Sequence, residues 1–222
     1  MRLLALDTST EACSAALTLD GRISERFLLG RQHSSQLLAM IAELLAEAGI
    51  ALKQLDALAF GRGPGAFTGL RIGTGVVQGL AFGAGLPVVP VSSLAALAQG
   101  ESAPRVLAAL DARMGQVYWG AFERDAGGLM RPAGAEGLVT PATLTPPPGR
   151  WWGVGRGWDA YGEALRDRLG PVLEGYTPNA WPHAAQVAVL GAAGFAAGAG
   201  VPAEQALPVY LRDDVARPAR RG

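Results

Sequence analysis

The chain is poor in the residues that build disulfides, histidine metal sites and lysine-rich surfaces. Its 222 residues include one cysteine, two histidines and one lysine. A single cysteine excludes an internal disulfide and is typical of a reducing compartment. His33 and His183 lie far apart in the sequence, so a metal site with two histidine ligands is not expected. The formal net charge is zero, which argues against a chain that grips nucleic acid by itself.

Charge is also missing from a long apolar stretch, because no charged residue occurs between Ile72 and Gly100. A run of this length could suggest a membrane span. Two interior prolines and a change of period instead predict a buried helix to about Ala84, a strand, and a new helix start at Ser92. The N-terminus opens with a strand pattern and shows no signal peptide. We therefore expect no membrane segment and a cytoplasmic location.

The most informative segment is a glycine-rich stretch at residues 61–73. It follows an apolar run that predicts a buried strand and enters a helical pattern at Thr68. Such a turn lets the backbone approach a ligand or a neighbouring chain closely. It is not a Walker loop, because no lysine follows the glycines. A tight turn that binds nothing is the alternative reading.

The two halves of the chain repeat one pattern of strand, aspartate, polar turn and strand. The first copy ends its opening strand at Asp7, and the second ends its opening strand at Asp111. A weaker echo of the glycine loop occurs at residues 151–157. The repeat predicts an α/β protein of two lobes with duplicated mixed sheets. We expect lobes at residues 1–104 and 105–211, followed by a frayed tail at 212–222.

Six motifs in this order resemble those of the TsaB family (older name YeaZ). They lie at residues 4–9, 31–35, 63–73, 91–94, 111–114 and 208–212. The resemblance is strong to about residue 118, weak from 123 to 181, and returns at the end. It implies the two-lobed actin/Hsp70/sugar-kinase-like (ASKHA) fold.

The resemblance also implies a function and partners. Members of this family are subunits of the bacterial machinery that makes threonylcarbamoyl-adenosine beside the tRNA anticodon. The implied partners are a TsaD-like catalytic subunit and a TsaE-like ATPase, with tRNA held through the complex and a homodimer when the chain is free. These remain expectations at this point.

A departure from the catalytic paralogue argues against activity in this chain. TsaD carries a His-x-x-x-His metal motif where this sequence has Ser93 and Leu97. Leucine cannot ligate a metal, and a neutral serine is a poor ligand compared with imidazole. We expect no catalytic residue and no metal. Three alternatives stay open: a peptidase that acts on TsaD, a small-molecule kinase, and an ATP-regulated assembly module.

Nucleotide binding has candidate residues in Asp7, Thr8, Ser9 and Asp111. In kinases of the superfamily, matching aspartates at strand ends serve a metal–phosphate site. The alternative is that both aspartates cap local turns. We expect no intrinsic cofactor, with ATP or ADP as an option at the complex interface.

Two helices are the expected partner surface. In the second helix, Gly75, Gly79 and Gly83 are spaced four apart, which costs up to about 1 kcal/mol each relative to alanine. Close approach of another helix would offset this cost. Met40 of the first helix is expected to lie off the apolar face, and Arg71 either binds an anion or pairs with a carboxylate. The predicted interface residues are Leu37, Leu38, Ile41, Leu45, Gly65, Phe67, Leu70, Arg71, Gly75 and Gly79.

Overall fold

The structure, a computed structural model, describes residues 1–30, 33–145 and 147–212, with backbone alone at 33–35. Its strands are β1 Arg2–Asp7, β2 Ala12–Leu19, β3 Arg22–Leu29, β4 Ala57–Gly63, β5 Val88–Ser92, β6 Arg105–Asp111, β7 Val117–Arg124, β8 Met130–Pro132, β9 Gly137–Val139, β10 Trp151–Val154 and β11 Leu173–Thr177. Its α-helices are α1 His33–Ala48, α2 Phe67–Ala84, α3 Ser93–Gln99, α4 Arg156–Leu169 and α5 Ala184–Ala196.

The two sheets have the same strand order. The first is β3-β2-β1-β4-β5 and the second is β8-β7-β6-β10-β11, with β9 paired to β7. In each sheet the opening strand pairs antiparallel with the next strand and parallel with the strand that follows the first long connection. The predicted two-lobed α/β fold with duplicated mixed sheets is confirmed.

The first sheet is covered on both faces because its central strand is apolar throughout. Alternate side chains of a strand point to opposite faces. Leu4 and Leu6 pack in the cluster that contains α1 and α2, whereas Leu3 packs with α5. Each fully buried leucine contributes roughly 1.5–3 kcal/mol of transfer free energy. The lobe bounds at 104 and 211 stay a prediction, although α5 lies on the first sheet.

The second sheet is built on the same plan around β6. Leu110 lies in the cluster with α3, and Leu107 lies in the cluster with α4. Trp158 is buried in that second cluster, and its indole nitrogen donates to the Leu107 carbonyl oxygen at 3.0 Å. A buried indole N–H needs such a partner, so this bond fixes α4 on the sheet.

Helix α1 differs from the sequence-based expectation at one position. Met40 is 8 % exposed and belongs to the core with Leu37 and Leu44. The prediction that it lies off the apolar face is wrong. Residues at i, i+3 and i+7 share a helix stripe, so Met40 lies between its two leucine neighbours.

The described helices include none that is long and apolar enough to cross a membrane. The uncharged stretch after Ile72 is instead divided among α2, β5 and α3. Ser92 caps α3, because its hydroxyl accepts the Ala95 N–H at 3.2 Å. The tail expected at 212–222 lies outside the described residues beyond Arg212.

The glycines of α2 serve two different faces. A methyl group on Gly69 would lie 2.0 Å from the Thr8 carbonyl oxygen, so α2 packs against the backbone that follows β1. A methyl group on Gly75, Gly79 or Gly83 would meet no described atom within 4 Å. The first face therefore needs glycine for close approach, whereas the second is open surface.

This contrast predicts opposite effects of alanine on one helix. Gly69→Ala should lower the free energy of unfolding by about 1–3 kcal/mol, because backbone at that distance cannot give way. Gly79→Ala is the matched control and should raise it by up to about 1 kcal/mol through helix propensity. Urea denaturation at low protein concentration measures both. Equal effects of the two changes would contradict this packing.

Candidate functional site

A cleft of about 370 Å³ lies between the lobes. On the first lobe its wall is the turn after β1 and the start of α2. On the second lobe its wall is the end of β6 with the turn that follows, and the first turn of α4. The lining residues are Ser9, Thr10, Glu11, Gly65, Ala66, Phe67, Leu110, Asp111, Ala112, Arg113, Tyr118, Arg156, Asp159 and Ala160.

The two aspartates that end β1 and β6 perform the same local task. Asp7 Oδ1 accepts the Ser9 N–H at 2.9 Å, and Asp111 Oδ1 accepts the Arg113 N–H at 2.8 Å. A side chain that bonds the backbone two residues on forms an Asx turn. Each aspartate therefore shapes the turn that leads into the next strand of its sheet.

The predicted nucleotide residues are only partly brought together. Ser9 and Asp111 line the cleft, whereas Asp7 and Thr8 do not. Asp7 is 1 % exposed and also accepts the Ser9 hydroxyl at 2.8 Å. The Thr8 hydroxyl donates to the Gly69 carbonyl oxygen at 2.7 Å. Of the two aspartates, only Asp111 thus lines the cleft, and nucleotide binding stays a prediction.

Arginine–carboxylate pairs link the charged residues of the cleft. Arg156 Nη1 lies 2.7 Å from Asp159 Oδ2, and its Nε lies 3.3 Å from Glu11 Oε1. Arg113 Nη1 lies 3.0 Å from Asp111 Oδ2. The Arg156–Glu11 pair joins α4 of the second lobe to the first lobe across the cleft, whereas the Arg156–Asp159 pair lies within α4.

Sequence reasoning did not select Arg156. Its signal was the weak glycine echo at residues 151–157, where the Gly-Arg-Gly triplet of the first lobe recurs. The structure places this triplet after β10, as the first one lies at the end of β4. A charged residue within the second copy could have been proposed on that ground.

The positions of the paralogue's metal motif are used for packing in this chain. Ser93 is fully buried, and its hydroxyl accepts the Gly63 N–H at 3.2 Å. Leu97 is 3 % exposed and lies in the core beside β6. Among the described residues, no cluster of three or more His, Cys, Asp or Glu side chains could hold a metal ion.

Cys13 and His183, a nucleophile candidate and a base candidate, have structural roles. Cys13 is fully buried, and burial raises the pKa of its thiol to about 11, which keeps it protonated at neutral pH. His183 stacks on Phe27 with ring centroids 4.3 Å apart, and its Nδ1 lies 3.0 Å from Glu25 Oε2. The side chain of His33 lies outside the described part of the chain.

The predicted interface residues divide into three groups by exposure. Leu37, Ile41 and Leu70 are at most 3 % exposed and lie in the first lobe's own core. They therefore support the surface from within and cannot contact a partner on it. Leu45 and Gly65 are half-buried. The predicted residues that lie exposed are Leu38, Phe67, Arg71, Gly75 and Gly79.

We call the exposed side of α1 and α2 to which these residues belong the α1/α2 face. It consists of Leu38, Phe67, Arg71, Gly75, Gly79, Phe82 and Gly83. Phe82 is 85 % exposed and directly precedes the last glycine of the stripe. The Arg71 guanidinium carbon lies 3.7 Å from the centroid of the Phe67 ring. This cation–π contact was neither of the two roles expected for Arg71.

Comparison with known proteins identifies the family. A family model described as "TsaD: tRNA N6-adenosine threonylcarbamoyltransferase" matches residues 28–219. The tRNA threonylcarbamoyladenosine biosynthesis protein TsaB of Escherichia coli (strain K12) is 44 % identical over 97 % of this chain and 96 % of its own length. The chain belongs to the TsaB family.

Further relatives agree with this assignment. TsaB of Haemophilus influenzae is 54 % identical over 56 % of this chain and 55 % of its own length. The solved structure of YeaZ from Pseudomonas aeruginosa has a TM-score of 0.87 and 48 % identity, covering 95 % of this chain and 99 % of that one. The chain therefore has a role in tRNA threonylcarbamoyladenosine biosynthesis.

Glu136 predicts a pH dependence of stability that arises between the lobes. It lies between β8 and β9, it accepts a hydrogen bond from the Ser92 hydroxyl, and burial raises its pKa above the ordinary 4.5 against the opposing effects of Ser92 and Arg62. A raised carboxyl pKa means that the fold favours the protonated form. Its stabilising contribution is therefore complete below pH 4.5 and is lost as the pH rises through the folded-state value.

Replacing the carboxyl tests this directly. Glu136→Gln should remove that part of the pH dependence, so the difference in unfolding free energy between wild type and variant should change from pH 4.5 to 7. Urea denaturation across this range measures it. Glu163→Gln, an exposed change on α4, is the control and should leave the profile unchanged. A constant difference between wild type and Glu136→Gln would contradict the assignment.

Proposed function

We propose that the chain is a non-catalytic scaffold and activator. In this proposal it binds a TsaD-like catalytic subunit in the cytoplasm and supports threonylcarbamoyl transfer to the tRNA adenosine next to the anticodon. A TsaE-like ATPase joins the complex. The α1/α2 face is the observation that carries the proposal, because it is exposed and largely apolar, and its α2 part has three glycines without side chains.

The glycine stripe supports a helical occupant for this face. A methyl group on Gly75, Gly79 or Gly83 would meet no described atom within 4 Å. The three missing side chains therefore leave a shallow groove along α2. Small residues at four-residue spacing let two helix backbones approach closely, and side chains on either side then interdigitate. Phe67 and Phe82 stand at opposite ends of the groove and supply the large apolar contacts that interfaces favour.

The absence of catalysis in this chain is supported by the packing of Ser93 and Leu97. One side chain is committed to the Gly63 N–H and the other to the core. Neither can turn toward a metal without leaving a buried N–H unbonded or opening a cavity, and both changes are costly. The transfer chemistry is therefore assigned to the partner.

The match to the TsaD family model supports a partner of similar fold. A partner with an equivalent pair of helices could occupy the α1/α2 face in place of a second copy of this chain. We propose that the free chain is a homodimer and that the partner replaces one copy. The zero net charge of the chain supports a tRNA contact made through the complex. ATP or ADP is proposed at the complex interface, with no cofactor bound by this chain alone.

Filling the groove should prevent assembly. Gly75→Leu with Gly79→Leu should abolish the homodimer and weaken binding to the TsaD-like subunit at least tenfold, because leucines would block close helix approach. Sedimentation velocity measures the first effect, and calorimetry with the purified partner measures the second. An unchanged dimer together with unchanged partner affinity would show that the α1/α2 face is the wrong surface.

The matched control is Gly134→Leu. Gly134 is exposed on the second lobe, and a methyl group there would meet no described atom within 4 Å. This variant should assemble as wild type does, which separates loss of the groove from a general effect of added leucine.

Activity reconstituted from purified components tests the proposal as a whole. Threonylcarbamoyl incorporation into tRNA is measured for this chain alone, for the TsaD-like and TsaE-like subunits together, and for all three, each supplied with threonylcarbamoyl-AMP. Incorporation should require all three. Incorporation by this chain alone would contradict the assignment of catalysis to the partner.

A further inference from the structure

The last described segment of the chain runs along the first lobe and then reaches the second. We call residues 206–212 the C-terminal strap. The Ala206 carbonyl oxygen accepts from Gln78 of α2 at 3.1 Å, and the Val209 N–H donates to the Arg62 carbonyl oxygen at 2.8 Å. A methyl group on Gly63 would lie 2.7 Å from the Val209 carbonyl oxygen. The strap is thus held tightly against the loop before α2.

The end of the strap forms hydrogen bonds with a turn of the second lobe. Arg212 Nη2 donates to the Ala112 carbonyl oxygen and to Gln116 Oε1, each at 2.9 Å, and its Nη1 lies 3.5 Å from Met114 Sδ. Two motifs that lie about a hundred residues apart in the sequence, at 111–114 and 208–212, are therefore bonded to each other. The scaffold function proposed above uses neither contact.

The turn that Arg212 contacts has a backbone conformation that is unfavourable for residues other than glycine. Arg113 and Met114 have φ of 63° and 55°, and Gly115 follows with φ of 73°. Residues other than glycine adopt this left-handed region only where surrounding contacts hold them. Within the turn, the Ala112 N–H donates to the Gln116 carbonyl oxygen at 3.0 Å, and the Asp111 side chain accepts the Arg113 N–H. The Arg212 guanidinium adds a contact from outside the turn, on the Ala112 carbonyl oxygen. Since Asp111, Ala112 and Arg113 line the cleft, the strap contributes to the shape of that wall.

The strap also touches the α1/α2 face. The ring centroids of Tyr210 and Phe67 lie 5.4 Å apart, and Phe67 carries Arg71 on its ring. Tyr210 itself is 39 % exposed. A partner that covers Phe67 would therefore restrict Tyr210, and restricting Tyr210 restricts Arg212 two residues further along the strap.

We infer that Arg212 is a positioning residue that transmits occupancy of the α1/α2 face to the cleft turn at residues 111–116. Partner binding immobilises the strap through Phe67 and Tyr210, and Arg212 then holds the turn in its left-handed conformation. This inference rests on the proposed binding of a TsaD-like subunit and adds a regulatory link from that surface to the cleft.

Amide hydrogen exchange of the turn tests the link. Exchange in peptides covering residues 112–117 is measured for the free chain and for the chain saturated with purified TsaD-like subunit. Binding should slow exchange at least fivefold in wild type. In Arg212→Ala it should slow exchange less than twofold, while the partner affinity stays within threefold of wild type.

A second variant acts from the other side of the contact. Gln116→Ala removes one acceptor of Arg212 from the turn and leaves the strap intact. Partner binding should therefore slow amide exchange of the turn less in this variant than in wild type. Arg212→Lys keeps the charge but lacks the planar fork, and it should restore only part of the effect. Arg150→Ala is the control, because Arg150 is 73 % exposed and pairs with Glu174 away from the strap. In this variant, partner binding should slow amide exchange of the turn as much as in wild type.

The possible results separate the inference from the function on which it rests. Equal slowing in wild type and Arg212→Ala would overturn the inference, as would partner binding without slowing in wild type. Failure of wild type to bind the TsaD-like subunit would overturn the proposed function and this inference with it. A graded loss from Arg212→Lys to Arg212→Ala at preserved affinity supports the link.

Discussion

The contact of α2 with the turn after β1 is the constraint on which the rest of the structure depends. Gly69 lets the helix approach the Thr8 carbonyl, the Thr8 hydroxyl donates to the Gly69 carbonyl, and the Ala66 N–H donates to the Ser9 carbonyl at 2.7 Å. This contact fixes the positions of the turn after β1 and the start of α2, which form one wall of the cleft. It also directs Gly75 and Gly79 outward, because residues spaced six and ten positions from Gly69 lie on another side of the helix.

Duplication explains why one chain forms a cleft between two similar lobes. Each lobe repeats a central strand that ends in an aspartate and an Asx turn, and the two turns face each other across the cleft. The ion pair of Arg156 with Glu11 and the hydrogen bonds of Arg212 at the end of the strap then join the two lobes. The two positions at which the sequence departs from the paralogue's metal motif, Ser93 and Leu97, are buried in this chain.

Much of the fold could be predicted from the sequence because its signals are local. Apolar runs ending in Asp7 and Asp111, a glycine turn into α2, and a serine cap at Ser92 each act within a few residues. Met40 was misplaced because a helical stripe can be centred in more than one way when leucines are abundant. The predicted nucleotide-binding residues do not all reach the cleft, for a related reason. Thr8 and Ser9 are neighbours in the sequence, but the Thr8 side chain bonds α2, whereas Ser9 lines the cleft.

The sequence by itself determined the two-lobed plan, the family and the glycine stripe on α2, because repeats, motifs and helical spacing are properties of order along the chain. Tertiary structure alone decided which stripe residues face outward, that Leu37, Ile41 and Leu70 face inward, and that Arg156 and Arg212 join the lobes. Those outcomes depend on distances between residues far apart in the chain. Such distances follow from how sheets and helices pack, and no local pattern encodes them.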